Sequence, residues 1–123
     1  MNPEIKQRWV QALLSGNYKQ GKGYLRQDVY EGPNDADQLV SRYCCLGVLC
    51  DIVKSEVNGE WETDETDDMP VPFIAEMRSN DTLPPSPVEV YCGLDREQSE
   101  ELAIMNDRGY NFNRIADYIE KNL

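Results

Sequence analysis

The sequence predicts a single-domain α+β fold, a small antiparallel sheet or ribbon packed by about five helices. Three observations carry that reading. Apolar residues recur at helical spacing in several stretches bounded by capping residues. Short β-prone stretches lie between clusters of Gly, Pro, Asn and Asp. And 123 residues, 40% of them hydrophobic, suffice for one core but not for two.

In chain order, Asn2 is placed to cap a first helix, with Pro3 at its first position and Glu4 in its first turn. Ile5, Trp9 and Leu13, flanked by Val10 and Leu14, make its apolar face, and Gly16 within Ser15-Gly16-Asn17 stops it in left-handed backbone. Tyr24-Leu25-Arg26 is expected to enter a sheet as a strand. Asp28 to Gln38 reads as a surface loop, and Leu39 to Tyr43 as an antiparallel returning strand, giving a hairpin with a long tip. The run YCCLGVLCDIVKSE from Tyr43 is apolar all round and predicts a buried helix. Gly47 in its middle costs about 1 kcal/mol against Ala, which points to the close approach of another backbone or of a ligand.

Asn58-Gly59 marks a turn before Trp61 on a short strand, and the acidic run that follows predicts an exposed, mobile loop. Pro70 and Pro72 assign Phe73-Ile74 to an edge strand, where a missing N–H is tolerated. A helix capped by Ser86, with Pro87 at its first position, ends at Gly93. Another runs from Glu97 to Asn106, burying Leu102 and Met105, and closes at Gly109. Finally, Asn111 caps a helix with Phe112, Ile115, Ala116 and Ile119 on one face.

Charge and residue inventory narrow the function classes. With 23 acidic against 12 basic side chains, the net charge is −11, which disfavours direct nucleic-acid binding because phosphate contacts need stripes of Lys and Arg. No apolar run approaches the roughly 18 to 20 residues that cross a bilayer. MNPEIKQRWV reads as a polar helix start rather than a signal peptide, so a cytoplasmic chain is expected, alone or as a small homo-oligomer. Cys44, Cys45, Cys50 and Cys92 are expected as reduced, buried thiols. Their spacing, with no His anywhere, misses the paired knuckles of a zinc site, and no metal or cofactor is expected. Absence of His also removes the usual general base and every Ser-His or Cys-His dyad. No phosphate loop or dinucleotide fingerprint is present, so binding is favoured over catalysis.

Three segments are candidate binding sites. Tyr18 to Arg26 sets Lys19, Lys22 and Arg26 among Tyr18, Gln20, Tyr24 and two glycines without a single acid. Cationic donors, open backbone N–H groups and stacking rings are what a phosphorylated small molecule requires. Asn106, Asp107 and Arg108 form a polar turn able to face a ligand, although caps and turns alone also call for such residues. Glu60, Glu62, Asp64, Glu65, Asp67 and Asp68 compose an acidic face suited to a basic protein partner.

Three blocks, RWVQALLSGNYKQGKGYLR, RYCCLGVLCDI, and LPPSPVEVYCGL through LAIMNDRGYNFNRIADYIE, resemble a family of small, uncharacterised proteins encoded in phage and prophage genomes. The resemblance implies a phage origin and a bacterial cytoplasmic setting, and brings no site residues with it. Small phage proteins without catalytic motifs often act on host machinery, with counter-defence a recurrent role. Two mechanisms suit these residues: sequestering a nucleotide signal near Tyr18 to Arg26, or docking the acidic face on a basic host protein. The alternative is an accessory role in virion assembly or phage DNA metabolism.

Overall fold

The computed structural model describes residues 1–31, 38–63 and 70–123. Among these residues are five helices, packed mainly on one another, and two small three-stranded sheets, an α+β architecture. Helix α1, Pro3–Leu14, begins where the Asn2 side chain accepts from the N–H groups of Glu4 and Ile5, and buries Ile5, Trp9, Val10 and Leu13. Helix α5, Phe112–Asn122, is capped by Asn111 and buries Phe112, Ile115, Ala116 and Ile119. The two pack along each other, so the first and last elements of the described chain share one apolar seam.

Helix α2, Cys45–Val53, is the hub, with seven of its nine residues buried. The Trp9 indole donates to the Cys45 carbonyl at 2.9 Å and Arg8 donates to the Ile52 carbonyl at 2.6 Å, fastening α1 along it. A Cβ on Gly47 would lie 1.8 Å from the Leu25 carbonyl oxygen, so the backbone approach expected there is real. Helices α3, Ser86–Cys92, and α4, Arg96–Asp107, complete the helical part. A capping box between Asp95 and Gln98 starts α4, and Gly93 in left-handed backbone ends α3.

The first sheet joins β1, Lys19–Gln20, β2, Arg26–Tyr30, and β3, Leu39–Tyr43, in the order β1-β3-β2. β2 and β3 pair antiparallel, from Arg26 opposite Tyr43 to Tyr30 opposite Leu39. The hairpin is therefore as expected, but its first strand starts at Arg26 rather than Tyr24. Asp28 to Tyr30, expected in a loop, belong to the strand, because each faces a β3 residue in register. β1 runs parallel to β3, so the sheet is not purely antiparallel.

The second sheet, β4-β5-β6, comprises Glu60–Trp61, Phe73–Ala75 and Arg78–Asn80. Here the expected edge strand is the central one. Pro70 and Pro72 both precede β5, and Pro72 serves the ladder only as an acceptor, its carbonyl taking the Glu62 N–H at 2.8 Å. The sheets meet where Gln27 bridges Pro70 and the Val71 N–H reaches the Arg26 carbonyl at 2.8 Å. The cap of α3 also differs from expectation. Pro85 holds the N-cap position without a side-chain bond, which moves Ser86 and Pro87 into the first turn. The hairpin tip at 32–37 and most of the acidic run, including Asp64, Glu65, Asp67 and Asp68, lie outside the described residues.

Candidate functional site

The residues of the Tyr18 to Arg26 segment part company in the fold. The Tyr18 hydroxyl donates to Asp51 at 2.5 Å, and its ring meets Tyr43 edge-on at 5.1 Å. The ladder continues from Tyr43 to Trp61 and from Trp61 to Phe73. Arg26 sits over both Tyr43 and Trp61, 5.8 and 5.5 Å from the ring centroids, while its guanidinium forks onto Asp28 at 2.9 and 3.0 Å. Tyr18 and Arg26 are thus committed to joining the sheets.

Asp51 accepts from Tyr18, from the Trp61 indole at 3.0 Å and from Lys54 at 3.0 Å. Burial raises its pKa, but these three donors outweigh burial and hold the carboxyl below its ordinary value. A carboxyl depressed in the folded state stabilises above its unfolded pKa of about 3.9, and that contribution is lost as pH falls through the folded value. Asp51→Asn is therefore expected to cost about 1–2 kcal/mol at pH 7 and to flatten the acid limb below about pH 4. Urea midpoints taken from pH 2 to pH 7 measure both.

Gln20 points the other way. Its amide donates to Asn106 Oδ1 at 2.9 Å and to the Tyr110 carbonyl at 2.7 Å. Asn106, fully buried, also accepts from the Cys45 N–H at 3.2 Å and donates to the Gly21 carbonyl at 2.7 Å. The Gly23 N–H donates to Asp107 at 2.8 Å. The two candidate segments, more than 80 residues apart in sequence, are thus joined in space, by polar bonds that serve the fold. The amide expected to be open for a ligand is taken by an internal carboxylate. Lys19, Lys22, Tyr24 and Arg108 remain at the surface.

Around this junction the basic side chains are distributed unevenly. Six of the chain's twelve lie in ion pairs: Arg8, Arg26, Arg42, Lys54, Arg96 and Lys121. Among the described residues the other six, Lys6, Lys19, Lys22, Arg78, Arg108 and Arg114, have no ion-paired carboxylate, although acids outnumber bases almost twofold. Three of these six, Lys22, Arg108 and Arg114, gather at one corner. Lys22 Nζ lies 3.7 Å from where a Cβ on Gly109 would stand, Arg108 precedes that glycine, and the Arg114 guanidinium stacks on Tyr110 at 3.7 Å. A face-on stack leaves the edge N–H groups of a guanidinium free to fork onto an oxyanion.

Beside the corner runs a groove between α4 and α5 of about 490 Å³, lined by Arg108, Tyr110, Arg114, Tyr118 and Lys121 and also by the carboxylates Glu101 and Asp117. The nearby carboxylates are engaged: Glu101 accepts from the Tyr118 hydroxyl, Asp117 from Lys121, and Asp107 from Gly23. Arg114 was not among the residues expected from sequence. The available signal was its position four residues beyond Tyr110, one turn into a capped helix.

Of the acidic candidates, Glu60 and Glu62 are described and exposed, and Glu62 accepts from Ser79 at 2.6 Å. All four cysteines are free and buried, and burial pushes Cys44 up to about 11 and Cys92 up to about 12, with Cys45 and Cys50 also raised. They are packing groups, not nucleophiles. Among the described residues, no three His, Cys, Asp or Glu side chains are placed to hold a metal ion, and no helix is long and apolar enough to cross a membrane.

Among the described residues, five helices, two three-stranded sheets and a corner that gathers three of the six unpaired cations make up a small α+β domain. The chain belongs to the family described as Domain of unknown function (DUF8296), whose model matches residues 1–123. No curated protein and no solved structure matches it.

Proposed function

We propose that this protein is a non-enzymatic binding protein that captures a small phosphorylated molecule, a nucleotide by class, at the α4–α5 groove. In the setting its sequence resemblance implies, a phage protein in a bacterial cytoplasm, such capture inhibits a host process and serves counter-defence. One observation carries the reading: Lys22, Arg108 and Arg114 converge without a carboxylate partner among the described residues, on a chain whose net charge is −11. Cations clustered on an acidic surface attract an anion locally while the rest of the surface repels polyanions such as nucleic acid. Tyr118 supplies a ring for a base to stack on, the Arg114 guanidinium stacked on Tyr110 supplies a planar cation, and the groove has the volume of a small-ligand site. The lack of His and the raised thiol pKa values agree with capture rather than turnover.

Thermal unfolding in the presence of ATP, cyclic AMP and inorganic phosphate tests the proposal. A nucleotide that binds here at a hundredfold excess over its Kd stabilises by about 2.7 kcal/mol, a rise on the order of 10 °C in Tm. Arg114→Ala and Lys22→Ala should abolish the rise while leaving the unliganded Tm within a degree or two, since both side chains are exposed. A nucleotide response that both variants retain would place the ligand elsewhere, and no response to any nucleotide sinks the reading.

A further inference from the structure

Away from the α4–α5 groove's lining residues, the β5–β6 hairpin carries a feature the fold itself does not require. Its turn is Glu76-Met77, and both residues adopt left-handed backbone, with φ of 49° and 65°. Turns of this kind favour Asn and Gly, which adopt that backbone with little strain. Met77 is nevertheless 95% exposed, so no contact among the described residues accounts for a large apolar side chain at a strained position. Val90, 80% exposed, and Tyr91 stand on α3 nearby, across a groove of about 440 Å³ whose wall includes Val57 and Pro87 and whose rim includes Glu76 and Arg78.

We propose that this surface is a homodimer interface, in which Met77 of each copy enters the hairpin–α3 groove of the other. Two properties favour a second copy over a foreign partner. The knob stands between two residues on the rim of its own hole, which is the arrangement a two-fold axis needs for reciprocal insertion. And the knob is flanked by one acid and one base, Glu76 and Arg78, so a rotated copy presents Arg78 to Glu76 and Glu76 to Arg78. Arg78 has no carboxylate partner among the described residues of its own chain. A patch of this size fits a weak, concentration-dependent dimer rather than an obligate one.

Sedimentation velocity from about 10 µM to about 500 µM, a range that spans weak association, tests it. The wild-type chain should shift toward twice the monomer mass as concentration rises. Met77→Asn, which suits left-handed backbone, should remain a monomer with an unchanged or higher Tm, separating loss of the interface from loss of the fold. Glu76→Arg and Arg78→Glu should each reduce association at least tenfold, and the double exchange should restore it, because it reverses both halves of the reciprocal pair. A wild-type chain that stays monomeric throughout overturns the proposal. So does a dimer that Met77→Asn leaves intact, or a double exchange that fails to recover. Should the monomer instead lose a foreign partner through Met77→Asn, the surface exists but the second copy is excluded as its occupant.

Discussion

Gly47→Ala is expected to yield a chain that does not fold, or one destabilised by more than about 4 kcal/mol. Two effects oppose each other at this position. Alanine favours the helix by about 1 kcal/mol, through the backbone entropy that glycine forfeits. Against that, its Cβ would meet the Leu25 carbonyl oxygen at 1.8 Å and the carbonyl carbon at 2.7 Å, where ordinary contact begins near 3.4 Å. Both obstacles are backbone atoms, so no rotamer change relieves them. α2 would have to withdraw by well over an ångström, opening the core around Leu25, Leu46 and Leu49, all fully buried. It would also strain the Cys44 N–H bond to that same Leu25 carbonyl. Urea unfolding followed by Trp fluorescence measures the loss, with Lys54→Ala, exposed at the end of α2, expected within about 0.5 kcal/mol of wild type. A Gly47→Ala chain of near-native stability would show that the packing of α2 on Leu25 is wrong.

Asn106→Ala should cost about 3–5 kcal/mol. The carboxamide satisfies three groups from two segments: the Gln20 amide and the Gly21 carbonyl at the end of β1, and the Cys45 N–H of α2. Truncation leaves the Gly21 carbonyl and the Cys45 N–H without this partner and the Gln20 amide with its Tyr110 bond alone, and unpaired buried polar groups cost about 1–3 kcal/mol each. Gln20 and Gly21 lie near enough to solvent to recover part of that in water bonds, which keeps the total below the simple sum. Cys45 cannot, being fully buried. Asn106→Asp separates shape from chemistry: it preserves volume but sets a carboxylate oxygen against the Gly21 carbonyl and buries a charge, so it should be no better tolerated. Amide exchange at Cys45 and equilibrium unfolding together test this. If exchange there stays slow in Asn106→Ala, the bond does not protect that group. The same variant bears on the proposed ligand, because Asn106 ties the strand segment carrying Lys22 to the helix end carrying Arg108.

Where elements were legible in the sequence, the determining interactions were local. Asn2 with Pro3 and Asn111 before Phe112 are caps whose partners lie within one turn, and the helices they start agree closely with expectation. The β2–β3 hairpin was visible for the same reason, although Asp28 reads as a loop residue until its ion pair with Arg26 and its bond from Ser41 are known. β6 was invisible because its turn uses Glu and Met where Asn and Gly are the usual signal. β1 was invisible because two residues carry no pattern. Its place depends on β3, more than 20 residues away, and on Asn106, more than 80 away.

The candidate site divides along the same line. Composition marked Lys22 and Arg108 as cations among few acids, but only the fold shows that they meet. Tyr18 and Arg26 looked equally available, and distance in sequence concealed why they are not: the partner of Tyr18 is Asp51, and the rings that hold Arg26 come from Tyr43 and Trp61. Arg114 escaped notice because no spacing rule distinguishes a cation that stacks on Tyr110 from one that merely faces water.

The seam between α1 and α5 sets the order in which the chain can mature. α1 leaves the ribosome well ahead of α5, yet the face that covers Ile5, Trp9, Val10 and Leu13 includes residues 112–122. At 5–20 residues per second, roughly 100 further residues keep that apolar stripe waiting for about 5–20 s. During synthesis the stripe is a hydrophobic surface open to chaperones, and folding to the native state is completed only after α5 emerges.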